Sequence, residues 1–248
     1  MGRNDGTRGA ALGLLAALML GACAPSIAPD AINDPNEAQN RATHEFNKGV
    51  DRNALRPSAM AYGKLPQPVR QGVANFAGNL DLPGEVVNGL LQGRPHHALE
   101  NTFRFAVNTT VGIGGLFDPA SAMGARGKST DFGETLHVWG VREGAYVELP
   151  LLGPSTTRDT LGLIGDIALN PVSRLVPEPE RYVGTVAGAA STLGDRFTYS
   201  ETVDSILYDS ADSYAQARLL YLQNRRFELG QTGGEDDFID PYEDPYAE

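Results

Sequence analysis

The sequence contains a single cysteine, Cys23, which excludes an intramolecular disulfide and therefore a disulfide-stapled scaffold. Positive charge is also scarce, because 20 lysines and arginines stand against 31 aspartates and glutamates, for a formal net charge of −11. This charge would repel a polyanion, so no nucleic-acid partner is expected. After the N-terminal segment no apolar run reaches 18 residues, so no transmembrane helix is predicted there.

Motifs of catalytic and metal sites are absent as well. The chain has neither the G-x-S-x-G elbow of many serine hydrolases nor the H-E-x-x-H pattern of zinc proteases. Its four histidines lack metal-ligand spacing, since two of them are adjacent and would project about 100° apart on a helix. They are His44, His96, His97 and His137. The sequence therefore predicts neither an enzyme nor a metal or cofactor site.

Residues 1–22 have the pattern of a secretory signal. A basic start in residues 1–9 precedes the apolar run 10–20, which is too short for a transmembrane helix. Residues 20–23, Leu-Gly-Ala-Cys, resemble the lipobox of bacterial lipoproteins, which implies cleavage before Cys23 and acylation of its thiol. The alternative is an ordinary signal peptide that contains a cysteine. Ala24 follows instead of aspartate, and by the usual sorting rule this implies the outer membrane.

The rest of the chain divides into three parts by composition. Residues 23–33 contain two prolines and predict a linker from the lipid anchor, and residues 34–230 predict a helical domain. Residues 231–248 carry seven acidic residues and no basic one, which predicts a solvated, disordered tail. Docking of the aromatic residues of this tail on a partner is the alternative.

The centre of the domain, residues 65–120, has the pattern of three short amphipathic helices. Each begins with a proline, where a missing N–H is tolerated, and ends with asparagine or glycine, which favour helix ends. The starts and ends are Pro68 and Asn79, Pro83 and Gly93, and Pro95 and Gly112. Helices of about 9 to 14 residues are shorter than the bilayer core of about 30 Å. We therefore expect the domain to lie in or against one leaflet.

The flanking segments are also mostly helical. A polar helix is predicted over 36–50, with Asp34 as its N-cap, and Leu-Arg-Pro at 55–57 predicts a break. Residues 139–150 alternate apolar and polar side chains around glycine, which predicts a small hairpin or extended segment. Further helices are predicted over about 132–138, capped by Ser129 or Asp131, over about 155–168, capped by Ser155, and over 203–229. The fold class is mostly α.

Several motifs occur in order between residues 34 and 171. They are Asp34-Pro35-x-Glu37-x-x-Asn40-Arg41, Leu65-Pro66-Gln67-Pro68-x-Arg70-x-Gly72, Asn75-Phe76-x-x-Asn79-Leu80-x-x-Pro83, Asn88-x-Leu90-Leu91-Gln92-Gly93, Arg104-Phe105-x-x-Asn108-Thr109-Thr110-x-Gly112 and Phe132-Gly133-x-Thr135-Leu136. Together with the lipobox, this series resembles the MlaA (VacJ) family of lipoproteins.

The resemblance implies a ring-like bundle of short amphipathic helices in the periplasmic leaflet of the outer membrane. A central amphipathic channel would let misplaced outer-leaflet phospholipid pass inward to a soluble periplasmic carrier, and a porin trimer would be a partner. The polar faces of the central helices then become candidates for the channel lining. The residues chosen are Asn75, Asn88, Asn101 and Arg104. Helix capping and ordinary surface amides are the alternative explanation of these side chains.

Two other functions stay open at this point. One is a structural or adhesion-related surface lipoprotein without transport activity, and the other is a hydrolase such as a phospholipase. Normal lipid traffic with lost attachment would favour the first, and fatty-acid release by the purified protein would favour the second.

Overall fold

The structure is a computed structural model that describes residues 32–172, 176–177 and 181–231. The predicted signal segment, Cys23, most of the linker and residues 232–248 of the predicted tail lie outside these ranges. The elements are α1 (Glu37–Val50), a π-helical turn (Asp51–Leu55), α2 (Arg56–Tyr62), α3 (Gln67–Leu91), α4 (Pro95–Thr110), α5 (Pro119–Ala122), α6 (Phe132–Val138), β1 (Tyr146–Leu149), β2 (Gly153–Thr156), α7 (Thr157–Leu169), α8 (Arg181–Thr198), α9 (Ser200–Asp204), a second π-helical turn (Ser205–Asp209) and α10 (Ser213–Glu228).

The elements form a closed circuit of contacts. From α1 the chain continues through the first π-helical turn into α2, which packs on α8, and α8 packs on α3. The circuit returns from α3 through α6 and α7 to β2, which pairs with β1, and β1 lies against α1. Helix α4 packs along α3, and α10 covers β2. The prediction of a mostly helical ring with one small β segment is confirmed.

The β segment is a hairpin slightly later in the chain than predicted. Strands β1 and β2 are antiparallel, with Tyr146 opposite Thr156 and Leu149 opposite Gly153. The turn therefore lies at residues 150–152, where Leu151 has a positive φ of 66°. Residues 139–145 contribute no strand, so the predicted range 139–150 covers only β1 and part of the turn.

The prediction of three short central helices is wrong. Residues 67–91 form the single helix α3, and Pro83 lies inside it. An interior proline costs one backbone hydrogen bond, but packing of α3 against α4 and α8 keeps the helix continuous. Asn79 does not end a helix; it is buried, and its Nδ2 donates to Thr109 Oγ1 at 3.0 Å. Helix α3 is about 37 Å long, yet no described helix is both long and apolar enough to cross a membrane.

Two other predicted helix boundaries are wrong, and a π-helical turn lies at each of them. The break at 55–57 is absent, because the π-helical turn 51–55 widens the helix ahead of Pro57 and the chain continues into α2. The predicted helix 203–229 is instead divided into α9, the second π-helical turn and α10. Asp212 caps α10 by accepting from Ala215 N at 3.0 Å.

The predicted caps differ in outcome. Asp34 does not cap α1; it accepts from Asn40 Nδ2 at 2.8 Å and from the side chains of Tyr214 and Arg218, so it ties α10 to the start of the ring. Asp131, one of the two residues predicted, caps α6 by accepting from Glu134 N at 2.7 Å.

Helix α7 is capped one residue later than predicted, because Ser155 belongs to β2. The neighbouring Thr156 caps the helix by accepting from Asp159 N at 3.2 Å.

Apolar and polar side chains are distributed unusually between surface and interior. Among the described residues, buried polar and charged side chains outnumber buried apolar ones, and several of the latter are alanines. Large apolar side chains are instead exposed, for example Leu99 at 71%, Ile164 at 56%, Ile167 at 68% and Val186 at 67%. Exposed apolar surface on this scale marks contact with a partner or a membrane.

Helices α6 and α7 approach each other so closely at Gly162 that only glycine fits there, and this can be tested. A Cβ there would lie 2.4 Å from Gly133 N, which is backbone that cannot move aside. We expect Gly162→Ala to lower the free energy of unfolding by about 1–3 kcal/mol, measured in detergent by thermal or denaturant unfolding. The control is Gly49→Ala in α1, where no atom lies within 4 Å of the new Cβ and stability should stay equal or rise. Equal stability of the two variants would contradict the packing described.

Candidate functional site

A polar cavity of about 260 Å³ lies between α3, α4 and the segment 118–129. Its wall carries amide, carboxylate and cationic side chains together with a few small or apolar residues. The residues that line it are Ala74, Asn75, Gly78, Asn79, Leu82, Glu85, Asn101, Arg104, Asn108, Asp118, Arg126, Gly127, Lys128 and Ser129. In the described ranges, none of the large exposed apolar side chains belongs to this lining. The cavity is therefore the candidate site for a polar or charged group.

The structure places three of the four predicted channel residues together. Asn75, Asn101 and Arg104 line the cavity, whereas Asn88 does not. Asn88 donates to Asp166 at 2.8 Å and accepts from Thr135 at 2.9 Å, so it joins α3 to α7 and α6.

Glu85 is one of several cavity residues that were not predicted from the sequence, and Asp118, Arg126 and Lys128 are others. It lies on the same helical face of α3 as Asn75, Asn79 and Leu82, at spacings of three and four residues. The signal was present in the sequence. Treating Pro83 as the start of a new helix separated Glu85 from the asparagines that precede it.

Asn101 is the most buried residue of the cavity lining. Its side chain is fully buried, and its Nδ2 donates to Glu85 Oε2 at 3.1 Å and to Lys128 O at 3.0 Å. Gly127 crosses directly above it with a φ of +66°, and a Cβ there would lie 2.4 Å from Asn101 Oδ1. Only glycine fits this crossing without strain.

Arg104 ties the segment 118–129 to α4. It donates to Asp118 at 3.1 Å, Ser121 Oγ at 2.8 Å and the carbonyl of Ala125 at 2.6 Å. Burial alone would raise the pKa of Asp118. Hydrogen bonds from Ser121 and Asn108, with the charge of Arg104, hold that pKa below its ordinary value. Asp118 is therefore a stable anion paired with Arg104.

Glu85 has a different electrostatic environment. Burial raises its pKa from 4.5 to about 7, and the charge of Asp81 adds to this, while a hydrogen bond from Ser129 and the charge of Arg104 oppose it. Within the described residues Glu85 has no ion-pair partner. Near neutral pH its carboxyl group is therefore poised between the neutral and the charged form.

A second polar cluster joins α10 to the ring. Ser213 Oγ lies 3.0 Å from His44 Nε2, and His44 Nδ1 lies 3.3 Å from Glu148 Oε1. This serine–histidine–carboxylate order occurs in hydrolases, but each of the three residues is less than 8% exposed and Lys48 Nζ also contacts Ser213 Oγ at 3.3 Å. The geometry favours a link between α10, α1 and β1 over an accessible nucleophile.

Comparison with known proteins identifies the family. The family profile described as MlaA lipoprotein matches residues 32–228. The chain belongs to the MlaA lipoprotein family. The resemblance seen in the sequence motifs is therefore confirmed.

Individual relatives cover most of the chain. It is 36% identical over 245 residues to the intermembrane phospholipid transport system lipoprotein MlaA of Shigella flexneri. The aligned region covers 96% of this chain and 93% of the relative. It is 32% identical to the protein of that name from Haemophilus influenzae, over 87% of this chain and 88% of the relative.

A solved structure is also similar. It comes from a study of the structural basis for maintenance of bacterial outer membrane lipid asymmetry. Its identity to this chain is 33%, with a TM-score of 0.66 over 79% of this chain and 98% of that one.

The environment of Glu85 predicts a specific pH dependence of stability. Folded Glu85 keeps its proton up to about pH 7, but an unfolded glutamate loses it near 4.5, so the wild type loses stability as pH rises through this window. Glu85→Gln removes that loss. We expect its free energy of unfolding, relative to wild type, to rise by about 3 kcal/mol between pH 4.5 and pH 8.

The measurement is denaturant unfolding of both proteins in detergent across that pH range. Glu45→Gln is the control for removal of a carboxylate, because the side chain of Glu45 is 68% exposed. A pH-independent difference for Glu85→Gln would show that the carboxyl group is not held in the environment described.

Proposed function

We propose that this lipoprotein moves phospholipid out of the outer leaflet of the outer membrane and so maintains lipid asymmetry. The support from relatives is their description as intermembrane phospholipid transport lipoproteins. The observation that carries the proposal is the polar cavity between α3, α4 and the segment 118–129, in a body whose exposed helix faces carry large apolar side chains. A non-enzymatic transport role needs such a passage and no catalytic group.

The distribution of polarity suits the chemistry of a phospholipid. Its head group is charged and its two tails are apolar, so a path needs polar groups beside surfaces that tolerate hydrocarbon. The cavity supplies the polar groups, and exposed side chains such as Leu99 and Ile113 supply apolar surface on and just after α4. A body of this kind is suited to one leaflet, with its apolar faces toward acyl chains.

The anchor, the location and the partners are parts of the same proposal. Acylated Cys23 would hold the protein in the periplasmic leaflet of the outer membrane. A porin trimer would be its membrane partner, and a soluble periplasmic carrier would receive the phospholipid. The sequence resemblance supports these assignments, and Asn75, Asn88, Asn101 and Arg104 remain the predicted channel residues, with Asn88 acting from outside the cavity described.

Deletion of the gene tests the proposed function. We expect phospholipid to accumulate in the outer leaflet, measured by its accessibility to an added phospholipase, and sensitivity to detergent to rise. Wild-type protein supplied from a plasmid should restore both. An unchanged leaflet composition would contradict transport, and lost attachment together with normal leaflets would favour the structural or adhesion-related alternative.

The apolar outer surface can be tested separately at Leu99. A charged side chain in a lipid environment costs about 1–3 kcal/mol, depending on depth, so Leu99→Glu should restore lipid asymmetry poorly in the deletion strain. The control is Gln39→Glu on the exposed polar face of α1, which should restore it fully. Both variants should reach wild-type protein levels by immunoblot. Full complementation by Leu99→Glu would show that this face does not meet lipid.

A further inference from the structure

The cavity has two buried hydrogen-bond acceptors that no described residue satisfies. Asn79 is 3% exposed and uses its Nδ2 on Thr109, while its Oδ1 has no partner. Asn101 is fully buried, its Nδ2 serves Glu85 and Lys128, and its Oδ1 is likewise without a partner. A buried acceptor without a donor costs about 1–3 kcal/mol. Both side chains line the cavity, although neither oxygen is open to solvent, so a hydrogen-bond donor that enters the cavity would satisfy them after a small rotation of the amide groups.

The third acceptor in this wall is the carboxyl group of Glu85. Glu85 belongs to the same lining and has no ion-pair partner within the described residues. A half-buried carboxylate without a cation is disfavoured, and a positive charge beside it would favour its ionised form. The occupant that satisfies two amide oxygens and one carboxylate is therefore a cation with several N–H donors. A primary ammonium group has three such donors and a single positive charge.

The mouth of the cavity has the opposite charge. Arg126 and Lys128 are exposed and belong to the lining, in the segment that crosses Asn101. Lys128 contacts Glu134 at 3.3 Å, and Arg104 is held by Asp118 at 3.1 Å. Arg126 has no acidic partner within the described residues, so it is available to an external anion. Guanidinium and phosphate are well matched in charge and hydrogen-bond geometry.

We propose that this cavity binds the phosphoethanolamine head group of a phospholipid. The ammonium group meets Glu85, Asn79 and Asn101, and the phosphate meets Arg126 at the mouth. This assignment rests on the proposed transport function and adds a head-group preference to it. The volume of about 260 Å³ lies near the lower end of the range of about 300–1,000 Å³ for small-molecule sites, which suits a head group rather than a whole lipid.

The preference can be measured on the lipidated protein in nanodiscs. Each nanodisc contains equal amounts of phosphatidylethanolamine, phosphatidylcholine and phosphatidylglycerol, and native mass spectrometry of the released protein counts the lipid that stays bound. Phosphatidylcholine carries the same charge as phosphatidylethanolamine, but its quaternary nitrogen has no N–H donor. Wild type should retain phosphatidylethanolamine about tenfold over both others, which corresponds to one well-made charged hydrogen bond.

Two variants and a control separate the groups involved. Glu85→Gln should reduce the preference for phosphatidylethanolamine to about twofold or less, whereas Arg126→Gln should weaken retention of all three lipids without changing their order. Glu45→Gln, which changes an exposed side chain of α1, should behave as wild type. Unfolding of each variant at pH 8 checks that lost binding is not lost structure, and Glu85→Gln is expected to be the most stable there.

The outcomes distinguish this inference from the transport proposal. If no phospholipid stays bound to wild type, the proposed function fails and the inference falls with it. If wild type binds the three lipids equally, or Glu85→Gln keeps the full preference, the head-group assignment is overturned while transport stands. If soluble phosphoethanolamine binds as tightly as the lipid, the site is for a free metabolite and the lipid assignment is wrong.

Discussion

Buried ion pairs and hydrogen bonds, rather than an apolar core, join the segments of this ring. One example is Arg196 of α8, which donates to both carboxylate oxygens of Asp51 at 2.8 and 2.9 Å and also contacts Asp204. The polar interior follows from the helices, which direct their large apolar side chains outward. Substitution of one partner in such a pair leaves the other charge buried alone, which costs about 3–5 kcal/mol.

The same polar interior serves both the fold and the site. Asn101 and Arg104 line the cavity, and they also hold the segment 118–129 against α4 through the carbonyls of Lys128 and Ala125. A site for a charged head group therefore needs no polar side chains beyond those that already stabilise the fold. The interior that replaces an apolar core is already able to hydrogen-bond a polar ligand.

The sequence predicted the helical class, the small hairpin and the family, and it placed Asn75, Asn101 and Arg104 on polar faces that share the cavity. It failed where a local signal competed with packing. Pro83 is a good helix start in isolation, but contacts of α3 with α4 and α8 carry the helix through it. That error shifted the predicted helical faces and concealed Glu85. The π-helical turns were not predicted either; the first begins at Asp51, whose side chain is paired with Arg196, a residue distant in sequence.

The central claim is that the outer apolar faces of the ring contact lipid while its interior stays polar. Spin labels on cysteine variants of Leu99 and Ile164, in lipidated protein reconstituted in nanodiscs, test it most directly, with Gln39 as the polar control. Relaxation by oxygen, which concentrates in hydrocarbon, should be strong at Leu99 and Ile164, and relaxation by a water-soluble nickel complex should be strong only at Gln39. Equal access of nickel to all three positions would contradict the account.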